Sequence, residues 1–177
     1  MKGWRPLKLE ELSTDSQHLY DVLNDGTDLA CVLIGTSYLA ELMATVLKEH
    51  FIASSIVEKL LDPQRGALGG FATRCDLAYC LNLITKPIYN DLIIVAQIRN
   101  QFAHKHLALD FADASVRELC AKLTTWRILL KGADDTLPGD VTPEEQRILA
   151  RNQFKISVVL MTTRIHVDAL SRQRAQS

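Results

Sequence analysis

Three polar residues near the end of a hydrophobic stretch have the side chains that phosphate chemistry needs. The stretch is Lys86–Lys105, and it contains Arg99, Asn100 and His104. Arginine can hold a phosphate through two parallel hydrogen bonds, and histidine can donate or accept a proton near neutral pH. Positions 99 and 104 are about 140° apart around an ideal helix. The two side chains can therefore face one cleft only at its edge, or where the helix end loosens.

The same residues also have a structural interpretation, which their spacing alone favours. In this interpretation Arg99 and Asn100 tie neighbouring helices by hydrogen bonds, and His104 closes the helix C-terminus. Two more charged residues, Glu41 and Arg74, lie in apolar segments. Because buried charges are usually paired, we expect Glu41 to be the counter-ion of Arg74 or Arg99. The predicted binding site or buried polar network consists of Glu41, Arg74, Arg99, Asn100 and His104.

The spacing of apolar residues predicts helices and no strand. Apolar residues recur at helical spacing in Lys86–Lys105, and Pro87 suits the first turn of that helix. We predict further helices over residues 10–23, 28–50, 56–61, 71–84, 114–131 and 142–172. Thr142, Pro143 and Glu145 occupy the positions that these residue types favour at a helix start. The predicted fold is all-α, a single-domain bundle of about six or seven helices with a long C-terminal helix.

The chain has 177 residues, which is enough for one domain with a sizeable core. Residues 1–26 are predicted to form a lead-in and an N-terminal helix, and residues 27–131 the helical core. Residues 132–177 would add a loop and the long C-terminal helix, packed on the same domain.

The overall charge gives no indication of nucleic-acid binding. The net charge is −1, whereas a free-standing duplex-binding domain is usually basic. No convincing helix-turn-helix is present either. The basic residues of the last predicted helix are expected to form a solvated face: Arg147, Arg151, Lys155, Arg164, Arg172 and Arg174. Direct DNA binding is therefore not favoured.

Cysteine usage and hydropathy predict a cytoplasmic protein. Cys31, Cys75, Cys80 and Cys120 lie in apolar surroundings and form no C-x-x-C pair, so buried free thiols are expected. Such thiols fit a reducing cytosol. The N-terminus lacks the apolar core of a signal peptide, and no run approaches the roughly 18 apolar residues that span a bilayer. We expect no membrane segment and no cofactor.

Two local patterns could bind a ligand, and neither is specific. The loop at residues 65–70 precedes a helix N-terminus, which is a position that can hold an anion. It lacks the spacing of a P-loop and has no lysine after its last glycine. His104 and His106 have no nearby cysteine or carboxylate pattern, so we expect no metal site.

Three stretches, taken together in their order and spacing, carry a family resemblance. They are LIGTSYLAEL at residues 33–42, LLDP through LGGFATR to LAYCLNLI at residues 60–84, and YNDL through IRNQFAH at residues 89–104. The set resembles the mannitol operon repressor family of bacterial regulators over roughly residues 28–122. The resemblance implies an all-helical regulator without a recognised DNA-binding motif, which would act through a protein partner.

A shorter pattern, Arg99-Asn100-x-x-x-His104, is similar to the R-x4-H motif of the HEPN superfamily of RNA-cutting and toxin-related domains. This resemblance implies a homodimer in which Arg99 grips a phosphate and His104 takes part in proton transfer. Three functions therefore stay open at this point. We favour a non-enzymatic regulator that acts through a protein partner, over an RNA-cleaving or nucleotide-modifying dimer and over a direct operator-binding repressor.

Overall fold

The computed structural model of the protein describes residues 14–105, 109–130 and 141–176. These residues form seven α-helices and one 3-10 helix, and no strand is present among them. The elements are α1 (Thr14–Asp25), α2 (Asp28–His50), α3 (Ser55–Leu61), α4 (Phe71–Cys80), α5 (Lys86–Lys105), α6 (Ala114–Lys122), the 3-10 helix Thr125–Leu130 and α7 (Pro143–Gln176). The predicted all-α fold with a long final helix is confirmed.

Helix α2 lies at the centre of the bundle, in contact with α1, α4, α5 and α7. Its start is fixed by Thr27, whose hydroxyl oxygen accepts a hydrogen bond from the Ala30 N–H at 3.2 Å. Gly35 lets α7 come close, because a Cβ at this position would lie 3.3 Å from the ring of Phe154. The predicted bounds of this helix, residues 28–50, are confirmed.

By length and composition, α2 is also apolar enough to cross a membrane. The expectation that no apolar segment is long enough to span a bilayer is therefore wrong for α2. Ten residues of the helix are buried against its neighbours. The apolar composition of α2 thus has a ready explanation in the packing of the bundle.

Helix α7 packs against α1, α2, α6 and the 3-10 helix. Its N-terminus is a reciprocal cap, as the sequence predicts. The Thr142 N–H donates to Glu145 Oε2 at 2.8 Å, and the Glu145 N–H donates to Thr142 Oγ1 at 3.3 Å. The ring of Phe154 on α7 packs against the ring of Phe111, which lies shortly before α6, with centroids 5.7 Å apart. Residues 10–13 of the predicted first helix lie outside the described residues.

Two predicted helices end earlier than expected. Helix α4 ends at Cys80 because Asn82 takes a left-handed conformation with φ of 56°. The N–H groups of Asn82 and Leu83 then donate to the carbonyls of Tyr79 and Ala78, which closes the helix end. Helix α6 ends at Lys122, and the chain continues as a 3-10 helix instead of the predicted α-helix to residue 131.

The early end of α6 has its cause in a different helix. Asp91 of α5 is fully buried, and its carboxylate accepts hydrogen bonds from the N–H groups and hydroxyls of Thr124 and Thr125, at 2.6 to 3.2 Å. A carboxylate in this position caps the N-terminus of the 3-10 helix. It therefore fixes where the chain turns away from α6.

Candidate functional site

An open cleft of about 490 Å³ lies between α2, α4 and α5. Helix α2 contributes residues at the spacing of one helix face: Leu33, Thr36, Ser37, Ala40 and Glu41. Helix α5 contributes Ala96, Arg99 and Asn100, and the first turn of α4 closes one end. The cleft thus brings together four of the five predicted site residues: Glu41, Arg74, Arg99 and Asn100.

Arg74 is the buried member of this group, with 2% of its surface exposed. Its guanidinium donates to three main-chain carbonyls: Nε to Leu68 at 2.7 Å, Nη1 to Ala40 at 3.0 Å and Nη2 to Leu61 at 2.6 Å. The guanidinium therefore ties α2 to the end of α3 and to the loop before α4. Glu41 as the counter-ion of Arg74 is a wrong prediction, because the guanidinium is held by these three carbonyls and the described residues show no ion pair between the two side chains.

The other four site residues, Glu41, Arg99, Asn100 and His104, are exposed, so a buried network is also a wrong prediction for them. The residues of α5 that face the core are Leu92, Val95, Ile98 and Phe102. Asn100 and His104 lie on the opposite side of the helix from these core residues, whereas Arg99 follows Val95 by four positions and is exposed where it lines the open cleft. Arg99 Nη1 donates to Asn100 Oδ1 at 3.3 Å, and the described residues show no ion pair between Arg99 and Glu41. These residues stay a proposed binding site.

His104 borders a second depression, together with Gln97, Asn100, Gln101 and Leu119. Asn100 lines both depressions, whereas Arg99 lines only the first among those described. Within one chain, Arg99 and His104 therefore do not converge on one cleft, in keeping with their angular separation on the helix. A homodimer that would bring such residues together stays a prediction.

An ionic cluster that the sequence reasoning missed joins the start of α2 to α7. The Asp28 carboxylate is buried and accepts from Arg147 Nε at 3.0 Å and from Arg151 Nη1 at 3.1 Å. Arg151 Nη2 donates to the main-chain carbonyls of Leu23, Asn24 and Gly26. The hydrogen bond and the charge of Asp28 raise the pKa of Arg147 above its usual value.

Lys155 extends the same face of α7 into the bundle. The lysine is 4% exposed, and its ammonium donates to Asn24 Oδ1 at 2.7 Å. Burial lowers the pKa of Lys155 below its usual value. The predicted solvated basic face is therefore wrong for Arg147, Arg151 and Lys155. Their spacing of four residues was the available signal, because it places all three on one side of α7.

The cysteines divide into three buried thiols and one exposed thiol. Burial raises the pKa of Cys31 to about 11 and those of Cys75 and Cys120 to about 12. Cys80 is exposed, so the expectation of buried thiols is wrong at this position. Among the described residues, no group of three His, Cys, Asp or Glu side chains is placed to hold a metal ion.

Comparison with known proteins identifies the family. The family model of the mannitol repressor, MtlR, matches residues 17–164. The search of curated proteins gave no match. The matched region extends beyond residues 28–122, where the three sequence stretches carry the resemblance, and includes most of α1 and much of α7.

Two solved structures share the fold. One is MtlR in the MtlR–HPr complex from Escherichia coli, with a TM-score of 0.69 and 20% identity over 86% of this chain and 99% of that chain. The other is the possible transcriptional regulator YggD from Shigella flexneri, with a TM-score of 0.65 and 16% identity over the same shares of the two chains. Neither the RNA-cleaving dimer nor the operator-binding repressor gains support from these matches. The family match confirms the resemblance read from the sequence: the chain belongs to the mannitol repressor family.

Proposed function

We propose that this protein is a transcriptional regulator that acts by binding a protein partner, and that the partner is an HPr protein. The observation that carries the proposal is the similarity to MtlR in its complex with HPr, which extends over 99% of the MtlR chain. Because the similarity covers 99% of that chain, nearly all of the fold that is in complex with HPr there is also present here.

The face between α2 and α5 is the surface that we assign to the partner. Leu33 on α2 is 38% exposed and lines the same cleft as Arg99, while Asn100 and His104 continue the surface along α5. An exposed apolar side chain flanked by arginine, amide and imidazole groups has the composition of a protein–protein contact. Arginine in particular is enriched among residues that dominate binding energy.

The engagement of three of the six Lys and Arg residues of α7 supports a protein partner over direct DNA contact. Arg147 and Arg151 are held by Asp28, and Lys155 is held by Asn24. Side chains that are engaged inside the fold cannot also neutralise phosphates, on which duplex binding depends. The net charge of −1 points the same way.

A cytoplasmic location is part of the proposal. Three buried free thiols support a reducing compartment. The apolar helix α2 contacts four other helices, which supports its role as a core helix. Fractionation of cells that express the tagged full chain tests the location, and recovery with the membrane pellet would contradict it.

The experiment is a calorimetric titration of purified HPr from the same bacterium into the full chain. We expect saturable binding that Arg99→Ala and His104→Ala each weaken, by about tenfold or more for the arginine. Lys48→Ala is the matched control, because Lys48 is an exposed cation on α2 that pairs with Glu58 away from the cleft. Equal affinities of wild type and Arg99→Ala for HPr would contradict the assignment of this surface. Absence of HPr binding to the wild type would contradict HPr as the partner.

A further inference from the structure

We propose that the cleft between α2, α4 and α5 also binds a small molecule, a phosphate monoester whose remaining part carries hydroxyl groups. The proposal concerns the interior of the cleft and does not require HPr. It is therefore tested on the purified chain alone, and it can fail or succeed independently of the proposed partner.

The first observation is the open N-terminus of α4. The residue before the helix is Gly70, so no side chain caps it, and the first helical hydrogen bond runs from the Arg74 N–H to the Gly70 carbonyl. The N–H groups of residues 71–73 therefore lack a main-chain acceptor within the helix, and these residues line the cleft. Such a helix end favours a phosphate through its N–H groups and its dipole.

Packing does not demand a glycine at position 70. Its φ is −75°, and a Cβ there would meet only the Thr73 side chain, with the hydroxyl oxygen at 3.4 Å. Serine, threonine, aspartate and asparagine are the usual residues at this position, and any of them would cover the N–H groups. Gly70 thus leaves the helix end accessible from the cleft.

The second observation is a buried hydroxyl without a partner. Thr36 of α2 lines the cleft and is 6% exposed, and its Oγ1 has no hydrogen-bond partner. A buried hydroxyl in this state is costly, because it has lost its water without gaining another partner. An oxygen of a ligand bound at the α4 N-terminus would supply that partner.

The third observation is the charge of the cleft. The charged lining residues are Arg74, Arg99 and Glu41, which give a net positive charge. Arg99 donates one N–H to Asn100, and its remaining donors are available for a phosphate. Arg74 contributes only its charge, since its own donors are engaged with carbonyls.

The size and the polar lining indicate the rest of the ligand. A volume of about 490 Å³ is typical of small-molecule sites and exceeds the needs of a bare phosphate. Glu41 accepts hydrogen bonds and repels a second anion, while Ser37 and Asn100 can exchange hydrogen bonds with neutral groups. The part of the ligand beyond the phosphate should therefore carry hydroxyl groups.

The test is a calorimetric titration of the full chain with two probes, inorganic phosphate and glycerol 3-phosphate, and with glycerol as the control. Both phosphates should bind, glycerol 3-phosphate more tightly, and glycerol should not. Arg99→Gln should weaken both by about tenfold or more, because hydrogen bonds to charged groups are strong. Lys48→Gln, which removes a cation away from the cleft, should leave both affinities unchanged.

Two further variants separate binding from folding. Gly70→Asp places a carboxylate where it can accept the free N–H groups of α4, so phosphate binding should be lost while the Tm stays equal or rises. Thr36→Val removes the unpartnered hydroxyl, and should weaken phosphate binding about two- to tenfold with no loss of Tm. Glu41→Gln should strengthen the binding of inorganic phosphate, because it removes the opposing charge.

Three outcomes would overturn the proposal. The first is that neither inorganic phosphate nor glycerol 3-phosphate binds at concentrations up to about 10 mM, since a specific site should have a Kd below this concentration. The second is binding that survives both Arg99→Gln and Gly70→Asp, since the phosphate would then lie elsewhere. The third is an equal loss in Lys48→Gln and Arg99→Gln, which would indicate a general charge effect.

Discussion

The Asp28 carboxylate lies 3.0 Å from the Arg147 guanidinium, although 119 residues separate the two in the chain. Asp28 is the first residue of α2, and Arg147 lies near the start of α7. The pair therefore joins the two helices at one end of the bundle. Arg151 completes the arrangement by donating to Asp28 and to the carbonyls of Leu23 and Asn24 at the end of α1.

We predict that Asp28→Asn lowers the free energy of unfolding by about 3 kcal/mol, because two guanidinium groups lose a buried partner. Urea unfolding followed by circular dichroism measures the change. Glu144→Gln is the control, since Glu144 also pairs with Arg147 but is 65% exposed, and it should cost less than about 1 kcal/mol. Equal losses in the two variants would contradict a buried role for Asp28.

Arg74→Lys should destabilise the protein by about 2–4 kcal/mol although it keeps the charge. A lysine cannot reproduce the planar set of donors that reaches three carbonyls on separate segments, so some of these carbonyls would be left unpaired. Thermal unfolding gives the comparison. Arg65→Lys, an exposed change in the adjoining loop, should leave the Tm within about a degree. A stable Arg74→Lys protein would show that the carbonyl contacts contribute little.

Helix starts could be predicted from the sequence because their signals are local. The cap that Thr142 and Glu145 form before α7 acts within four residues, and the structure has it. The face of α5 that packs into the core also follows from the helical period. The family resemblance is also a local signal, because it is carried by three short stretches of sequence.

Contacts between distant segments were beyond the reach of sequence periodicity. The end of α6 depends on Asp91, which is 34 residues from Thr125. The partners of Arg74 are carbonyls, and every residue of the chain has one, so no residue type identified them. The exposure of the polar end of α5 depends on how the neighbouring helices are placed, which the period of a single helix does not determine.

Thiol labelling should separate Cys80 from the other cysteines. Burial raises the pKa of Cys31 to about 11 and those of Cys75 and Cys120 to about 12, so these thiols stay protonated and covered at pH 8. A disulfide reagent should modify one thiol rapidly in the native protein and four in denaturant. Cys80→Ser should remove the rapid phase. Rapid labelling of a second thiol in the native state would contradict the packing around α2, α4 and α6.

The segments of the chain that HPr covers can be mapped by amide hydrogen exchange. Amide hydrogen exchange of the full chain should be measured with and without saturating HPr. We predict slower exchange in residues 33–41 of α2 and 96–104 of α5, with no change in the C-terminal half of α7. Unchanged exchange throughout, or protection confined to α7, would contradict it.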